Sequence, residues 1–166
     1  MEILQNNASR TYCISMCLHD KSIFCYGNYP ATAFILNPDS TIKKLSDGDP
    51  PSSMGAVYHD GFICLFGGWT AAGNTAAKYK LSTDTWHKIC SLNEALRNVS
   101  CIVGNYGIAF VGYENSKLYL YNHAQDIYNE IYLNFAAKTF KVLLQAENRV
   151  FLIDSAKNIY KVSQIS

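Results

Sequence analysis

The residues best suited to chemistry in this chain are its four histidines, two of which stand directly before an aspartate. His19-Asp20 and His59-Asp60 are separated by 40 residues, and a histidine beside a carboxylate can act as a general acid or base. Both pairs also lie between two apolar runs, where aspartate favours a tight turn by hydrogen bonding to its own backbone. We therefore interpret both pairs as turn-forming residues and predict no catalytic residue at either.

Cysteine is the other residue type that could carry chemistry, and the chain has six. No Cys-x-x-Cys pair occurs, and most of the cysteines lie inside apolar, strand-like runs, where a thiol behaves as a small core residue. Like residues recur at intervals of about 40 residues, generally too far apart in structure to share a metal ion. Common nucleophile, phosphate-binding, zinc-protease and calcium motifs do not occur. We predict reduced, buried thiols, no metal, no cofactor and no enzymatic activity.

Composition and charge exclude several classes of partner. With 49% hydrophobic residues, the 166-residue chain can form a packed core of one ordinary domain. A net charge of +1 provides no field that would attract nucleic acid or anionic lipid. No uninterrupted apolar run approaches the roughly 20 residues that a membrane helix needs, and no targeting signal precedes the first apolar runs. We therefore expect a cytoplasmic protein that binds neither nucleic acid nor membrane.

The elements that would position these residues repeat along the chain. Each repeat has an apolar run, a tight polar turn and a second apolar run, which together predict a β-hairpin. The second run ends in glycine in the first three copies, at Gly27, Gly67-Gly68 and Gly112, and in Ile153-Asp154 in the fourth. A further pair of strand-like pieces follows each of the first three hairpins. We predict four-stranded units of about 42 residues, too small to bury both sheet faces unless they stack radially.

The second copy carries the most specific pattern. Its strand Ile63 to Gly68, followed by Tyr79 and Trp86, resembles a kelch repeat, in which an apolar strand ends in Gly-Gly before a spaced Tyr and Trp. The other copies depart from this pattern, because the position of Trp86 is taken by Ile42 in the first and by Tyr128 in the third. The resemblance implies an all-β, kelch-type β-propeller. Its structural residues would be Gly27, Gly67, Gly68, Tyr79, Trp86, Gly112 and Tyr128.

Counting the repeats predicts about four blades of four antiparallel strands within a single domain, residues 1–166. The blades would span 9–51, 52–96, 97–136 and 137–166, with 1–5 as the outer strand of the last blade. Two architectures remain open: a small closed ring, or an arc that forms part of a larger propeller. An arc would expose the faces of its terminal sheets, which favours self-association.

The loops on one face of such a propeller predict a binding function. They join the second and third strands of each blade, or successive blades, and they are rich in residues that form interaction hot spots. The resemblance implies a protein-interaction scaffold or adaptor whose partner is a ubiquitin-ligase or cytoskeletal component. An alternative is a small propeller enzyme or sugar-binding lectin, of the kelch-like oxidase or sialic-acid isomerase type, although the predicted inner strands carry almost no charge. The partner-binding candidates are Arg10, Tyr29, Trp69, Asn74, Arg97 and Tyr113.

Overall fold

The computed structural model describes residues 13–28, 31–46, 48, 55–68, 74–113, 115–133, 140–147 and 149–162, with backbone alone at 13–18, 27–28, 31–32 and 140–141. Within these ranges the chain forms fifteen β-strands and no helix. The described residues therefore contain no helix that could span a membrane.

The strands form four antiparallel sheets, and neighbouring strands in each sheet follow one another in sequence. Sheet 1 contains β1 (Cys13–His19), β2 (Ser22–Asn28), β3 (Ala31–Leu36) and β4 (Ile42–Lys44). Sheet 2 contains β5 (Gly55–His59), β6 (Phe62–Phe66), β7 (Ala76–Lys80) and β8 (Thr85–Lys88). Sheet 3 contains β9 (Arg97–Gly104), β10 (Gly107–Tyr113), β11 (Lys117–Asn122) and β12 (Ile127–Tyr132). Sheet 4 contains β13 (Phe140–Ala146), β14 (Arg149–Asp154) and β15 (Ile159–Val162).

This arrangement confirms the predicted all-β fold of four repeated antiparallel units. Three units have four strands, whereas sheet 4 has three among the described residues. Each sheet lies within one predicted blade range, but the division of 1–166 into blades stays a prediction. The outer strand predicted at 1–5 lies outside the described residues.

The four sheets stack side by side through their first strands. β1 packs against β5, β5 against β9, and β9 against β13. No comparable contact joins β13 back to β1 in the described part of the chain. The sheets therefore form an open arc, which leaves one face of sheet 1 and one face of sheet 4 at its ends.

Short turns join the strands in conformations that suit their residues. Asp20 and Asp60 adopt φ angles of 44° and 49° in the first two hairpin turns, and Asp84 and Asp126 both adopt 54° in the turns that precede β8 and β12. Aspartate tolerates this left-handed region better than most residues because its short side chain hydrogen bonds locally. Asp20 and Asp60, which follow His19 and His59, thus allow the backbone conformation of the two turns.

The core consists of three apolar layers, one between each pair of neighbouring sheets. Because successive side chains on a strand point to opposite faces, each interior strand supplies alternate residues to two layers. On β6, Ile63 and Leu65 pack towards sheet 1, whereas Cys64 and Phe66 pack towards sheet 3. The third layer lies between sheets 3 and 4 and includes Ala109, Val111, Leu118, Leu143, Val150 and Leu152.

Candidate binding surface

Two of the predicted binding residues lie side by side at one end of sheet 3. Arg97 begins β9 and Tyr113 ends β10, and the two residues are partners in the strand register. Both are exposed, with Tyr113 at 37%. The predicted candidates Arg10, Tyr29 and Trp69 lie outside the described residues.

Asn74 lies on the same side of the molecule, in the connection between β6 and β7. Its backbone carbonyl accepts a hydrogen bond of 2.7 Å from the amide of Leu92, in the segment that leads to sheet 3. The Asn74 side chain is half-buried. This contact places the β6–β7 connection beside the segment that joins sheets 2 and 3.

Two glycines of the kelch-like pattern, Gly67 and Gly68, lie where the backbone of Leu96 approaches closely. Gly67 has a φ of 80°, and a Cβ there would lie 2.6 Å from the carbonyl oxygen of Leu96. Gly68 donates a backbone hydrogen bond of 2.8 Å to the same carbonyl. Gly112 also faces Leu96, whose Cβ would lie 3.0 Å from an added side chain, and Gly27 pairs with Thr32 in sheet 1. Any residue larger than glycine at Gly67 would collide with the backbone of Leu96, in the segment that leads to sheet 3.

The aromatic residues of the pattern lie between neighbouring sheets. The ring centroids of Tyr79 and Trp86 are 5.1 Å apart, and those of Tyr121 and Tyr128 are 5.2 Å apart. Each pair faces the preceding sheet. Ile42, at the matching position in sheet 1, is 45% exposed because none of the described sheets precedes it.

Tyr79 and Tyr121 each also donate a hydrogen bond to an aspartate five residues later. Tyr79 donates to Asp84, whose Oδ1 accepts the backbone amide of Ser46 at 3.0 Å. Tyr121 donates to Asp126 at 2.8 Å, and Asp126 in turn accepts the Cys90 amide at 3.3 Å. We call each set a Tyr–Asp bridge.

The Tyr–Asp bridges affect the ionisation of their members. The hydrogen bond from Tyr79 lowers the pKa of Asp84. At Asp126, burial opposes ionisation, but the hydrogen bonds from Tyr121 and the Cys90 amide outweigh it and lower the pKa. Both carboxylates are therefore held ionised, and each ties its own sheet to the end of the preceding one.

A charged cluster that the sequence did not predict lies at the same end of sheet 3 as Arg97 and Tyr113. The Nζ atom of Lys117 lies 2.6 Å from Oε1 of Glu94 and 3.0 Å from Oε2 of Glu130. Tyr119 also donates a hydrogen bond to Glu94, and Asn93 donates one of 3.1 Å to Glu130. The two carboxylates are thus joined by one ammonium group.

The charges in this cluster stabilise one another. Hydrogen bonds to Glu94 and Glu130 raise the pKa of Lys117, and the hydrogen bond from Lys117 lowers the pKa of Glu130. Burial alone would raise the pKa of Glu94, but hydrogen bonds from Lys117 and Tyr119 outweigh it and lower the pKa. A positioned general acid or base would need a pKa close to the working pH, so these shifts indicate a fixed ionic network rather than a proton-transfer site.

Both sets of residues lie at the same end of sheet 3, and we call them together the sheet-3 strip. Lys117 and Tyr132 are register partners on β11 and β12, and the Lys117 ammonium lies 5.2 Å from the centroid of the Tyr132 ring. Tyr132 is 68% exposed. The strip therefore contains two exposed tyrosines, an exposed arginine and the Lys117 network, and its members are Glu94, Arg97, Tyr113, Lys117, Glu130 and Tyr132.

The histidines lie at the opposite end of the strands, around the hairpin turns. The rings of His59 and His123 meet edge to face with centroids 5.8 Å apart. The centroid of the His123 ring also lies 4.9 Å from that of Phe62. His87 is exposed, whereas the ring of His123 is half-buried. Burial, together with the nearby Lys78 and His59, lowers the pKa of His123.

A shallow polar cavity of about 470 Å³ opens between these turns. Its wall includes a carboxylate, two amides, two imidazoles and a tyrosine, all from the hairpin and outer turns of sheets 2 and 3. Within the described ranges, no group of three or more histidine, cysteine or acidic side chains is arranged to hold a metal ion. The polar residues of the cavity are His59, Asp60, Asn105, Tyr106, Asn122 and His123.

The fold is that of β-propeller proteins. Virginiamycin B lyase from Staphylococcus aureus aligns over 91% of this chain with a TM-score of 0.67 and 15% identity, and the protein YjhT aligns over 95% with a TM-score of 0.69 and 12% identity. The chain spans 55% of the length of the lyase and 67% of YjhT. It is therefore similar to part of each of these larger chains.

A computationally designed protein, Ika4, is similar over nearly its whole length. It aligns over 98% of this chain and 97% of its own, with a TM-score of 0.70 and 9% identity. No protein-family model matches the sequence, and no curated protein sequence matches it. At these identities the structural neighbours show the propeller fold, and the fold alone carries no specific activity.

Proposed function

We propose that the chain is a kelch-like, non-catalytic module that binds a protein partner through the sheet-3 strip. The observation that carries this proposal is the exposure of Tyr113, Tyr132 and Arg97 at the end of sheet 3 that also carries the Lys117 network. Tyrosine and arginine are enriched at interaction hot spots because a ring or guanidinium buries much area and keeps a polar group for hydrogen bonding.

The charged network supports binding because it holds the charged side chains of the strip in fixed positions. Lys117 is only 20% exposed and has two carboxylate partners, so its position is already set before a partner arrives. A surface that is ordered in advance loses less conformational entropy on binding. The partner that fits such a strip is a protein with hydrogen-bond acceptors for the two tyrosines.

The experiment compares two double variants of the tagged protein in partner capture from a cell extract. Tyr113→Ala with Tyr132→Ala alters the strip, whereas Ile127→Ala with Lys157→Ala alters exposed residues elsewhere. A protein captured by the wild type and by the control pair, but lost with the strip pair, is the expected result. Its affinity, measured by calorimetry with purified partner, is expected to fall at least about tenfold. Equal capture by all three proteins contradicts the proposal.

The polar cavity near His59 and His123 favours a second candidate function, the binding of a small polar ligand such as a sugar. Its amides, carboxylate and aromatic ring are groups that hydrogen bond or stack with a sugar. Binding of one saccharide class on a glycan array, lost in Asn105→Ala with Asp60→Ala but kept in the strip pair, would favour this alternative. One structural neighbour is a lyase, so the fold is compatible with small-molecule sites.

A further inference from the structure

The outer face of sheet 4 is apolar and exposed. Leu144 pairs with Phe151 and Val142 with Ile153 in the register of β13 and β14, and Ile153 pairs with Ile159 on β15. Ile159 is 68% exposed and Leu144 47%. The other face of this sheet is buried against sheet 3. We call the outer face the tail face, and its residues are Val142, Leu144, Phe151, Ile153 and Ile159.

A second apolar face lies at the other end of the arc. On sheet 1, Phe24 and Tyr26 pack towards sheet 2, so the alternate residues of β2 and β3 face away from it. Ile23 pairs with Leu36, which pairs in turn with Ile42 on the outer strand. We call this the head face, and its residues are Ile23, Phe34, Leu36 and Ile42.

The two end faces are the unmatched halves of one repeated interface. Inside the arc, Trp86 meets Tyr26 of the preceding sheet edge to face at 6.4 Å, and Tyr128 meets Phe66 in the same way at 6.3 Å. Ile42 occupies the position of Trp86 and Tyr128. Likewise, Ile153 occupies the position of Tyr26 and Phe66, because each of these residues lies directly before the glycine or aspartate at the end of its hairpin.

We propose that the tail face of one copy packs against the head face of a second copy, and that two copies joined at two such contacts close a ring of eight sheets. A head-to-tail contact either closes into a ring or propagates as a filament. The arc aligns over 91% and 95% of its length with parts of two larger propeller chains, so further sheets can follow an arc of this shape. Large contiguous apolar patches are also unusual on a monomer, and five residues of the tail face are apolar, with Lys161 beside Phe151.

The first test is the mass of the protein in solution, measured by light scattering after gel filtration. The wild type is expected at about twice 18.6 kDa. Ile159→Lys and Ile42→Lys each place a charge on one end face, and each is expected to weaken association at least tenfold. Ile127→Lys is the matched control, because Ile127 is as exposed as Ile42 but lies on sheet 3, on neither end face. It is expected to keep the mass of the wild type.

The second test uses Ile42→Cys with Ile153→Cys to report which ends meet. Sheets packed face to face lie about 10 Å apart, and a direct disulfide needs Cα atoms within about 7 Å, so the two thiols are linked with a bifunctional maleimide of about 10 Å reach. A covalent bond between two copies, not formed with either single substitution, is expected. A bond within one chain would show that its own sheets close the ring and would overturn the proposal. A wild-type mass near 18.6 kDa, or a series of growing polymers, would overturn it as well.

Discussion

The interface between sheets 1 and 2 resembles the interface between sheets 2 and 3 in the positions of its residues but differs from it in hydrogen bonding. Each has an aromatic pair seven residues apart and a Tyr–Asp bridge to the preceding sheet. At the first interface, the Trp86 indole donates a hydrogen bond of 2.9 Å to the Ser46 carbonyl. At the second, the Tyr128 hydroxyl is buried with no hydrogen-bond partner among the described residues.

The difference shows that the repeat preserves the positions of its aromatic residues more strictly than the hydrogen bonds that they make. The second interface lacks that hydrogen bond but has more ring packing. Phe66 stacks on Phe110 with centroids 4.4 Å apart, and Phe110 stacks on Tyr119. Aromatic pairs of this kind contribute about 0.5–1.5 kcal/mol beyond the area that they bury. The first interface therefore depends more on one tryptophan, and the second on a cluster of rings.

The largest effect is expected for Trp86→Ala, which removes both the ring between sheets 1 and 2 and its hydrogen bond to Ser46. Truncation of a large aromatic residue in a core costs about 3–5 kcal/mol, and the partial exposure of Trp86 favours the lower end. Urea unfolding followed by circular dichroism measures the loss. Tyr132→Ala serves as the exposed control and is expected to change the stability little. An unchanged unfolding midpoint for Trp86→Ala would show that this interface does not stabilise the fold.

The same residues show how much of the fold could be predicted from the sequence. Strand alternation, hairpin turns and the seven-residue spacing are local patterns, so the four sheets and the positions of Trp86 and Tyr128 could be derived from them. The network of Glu94, Lys117 and Glu130 could not, because its members are far apart in sequence and each resembles an ordinary surface charge. The one available signal is Lys117 at the start of an apolar strand, since a partly buried lysine needs a carboxylate partner.

The Tyr–Asp bridges were missed for a related reason. The five-residue spacing from Tyr79 to Asp84 recurs from Tyr121 to Asp126 and is visible in the sequence. The role of each aspartate as an acceptor is not visible in the sequence, because the aspartate accepts a hydrogen bond from a backbone amide of the preceding unit, 36 or 38 residues away. Backbone groups carry no sequence signal, so only the stacking of the sheets reveals this contact.

A smaller effect is expected for Tyr121→Phe, which removes the hydroxyl that donates to Asp126. The loss of one such hydrogen bond costs about 1 kcal/mol, since Asp126 is exposed and can bind water instead. The pKa of Asp126 is lowered in the folded state, so its stabilising contribution is present above 3.8 and is lost as the pH falls below it. The stability difference between wild type and variant should therefore shrink in acid. A difference that stays constant from pH 7 to pH 3 would contradict this role for Asp126.

The smallest effect, and one of opposite sign, is expected for Tyr128→Phe. The variant keeps the ring that packs against Phe66 and Phe110 and removes a buried hydroxyl with no hydrogen-bond partner among the described residues. Because a buried polar group without a partner is destabilising, the free energy of unfolding should stay the same or rise by up to about 1 kcal/mol. Trp86→Phe is the matched comparison, since it keeps a ring but loses the bond to Ser46, and it should lower the stability. If Tyr128→Phe proved as destabilising as Trp86→Phe, the Tyr128 hydroxyl would make a stabilising polar contact, as the Trp86 indole does, and the two interfaces would not differ in this respect.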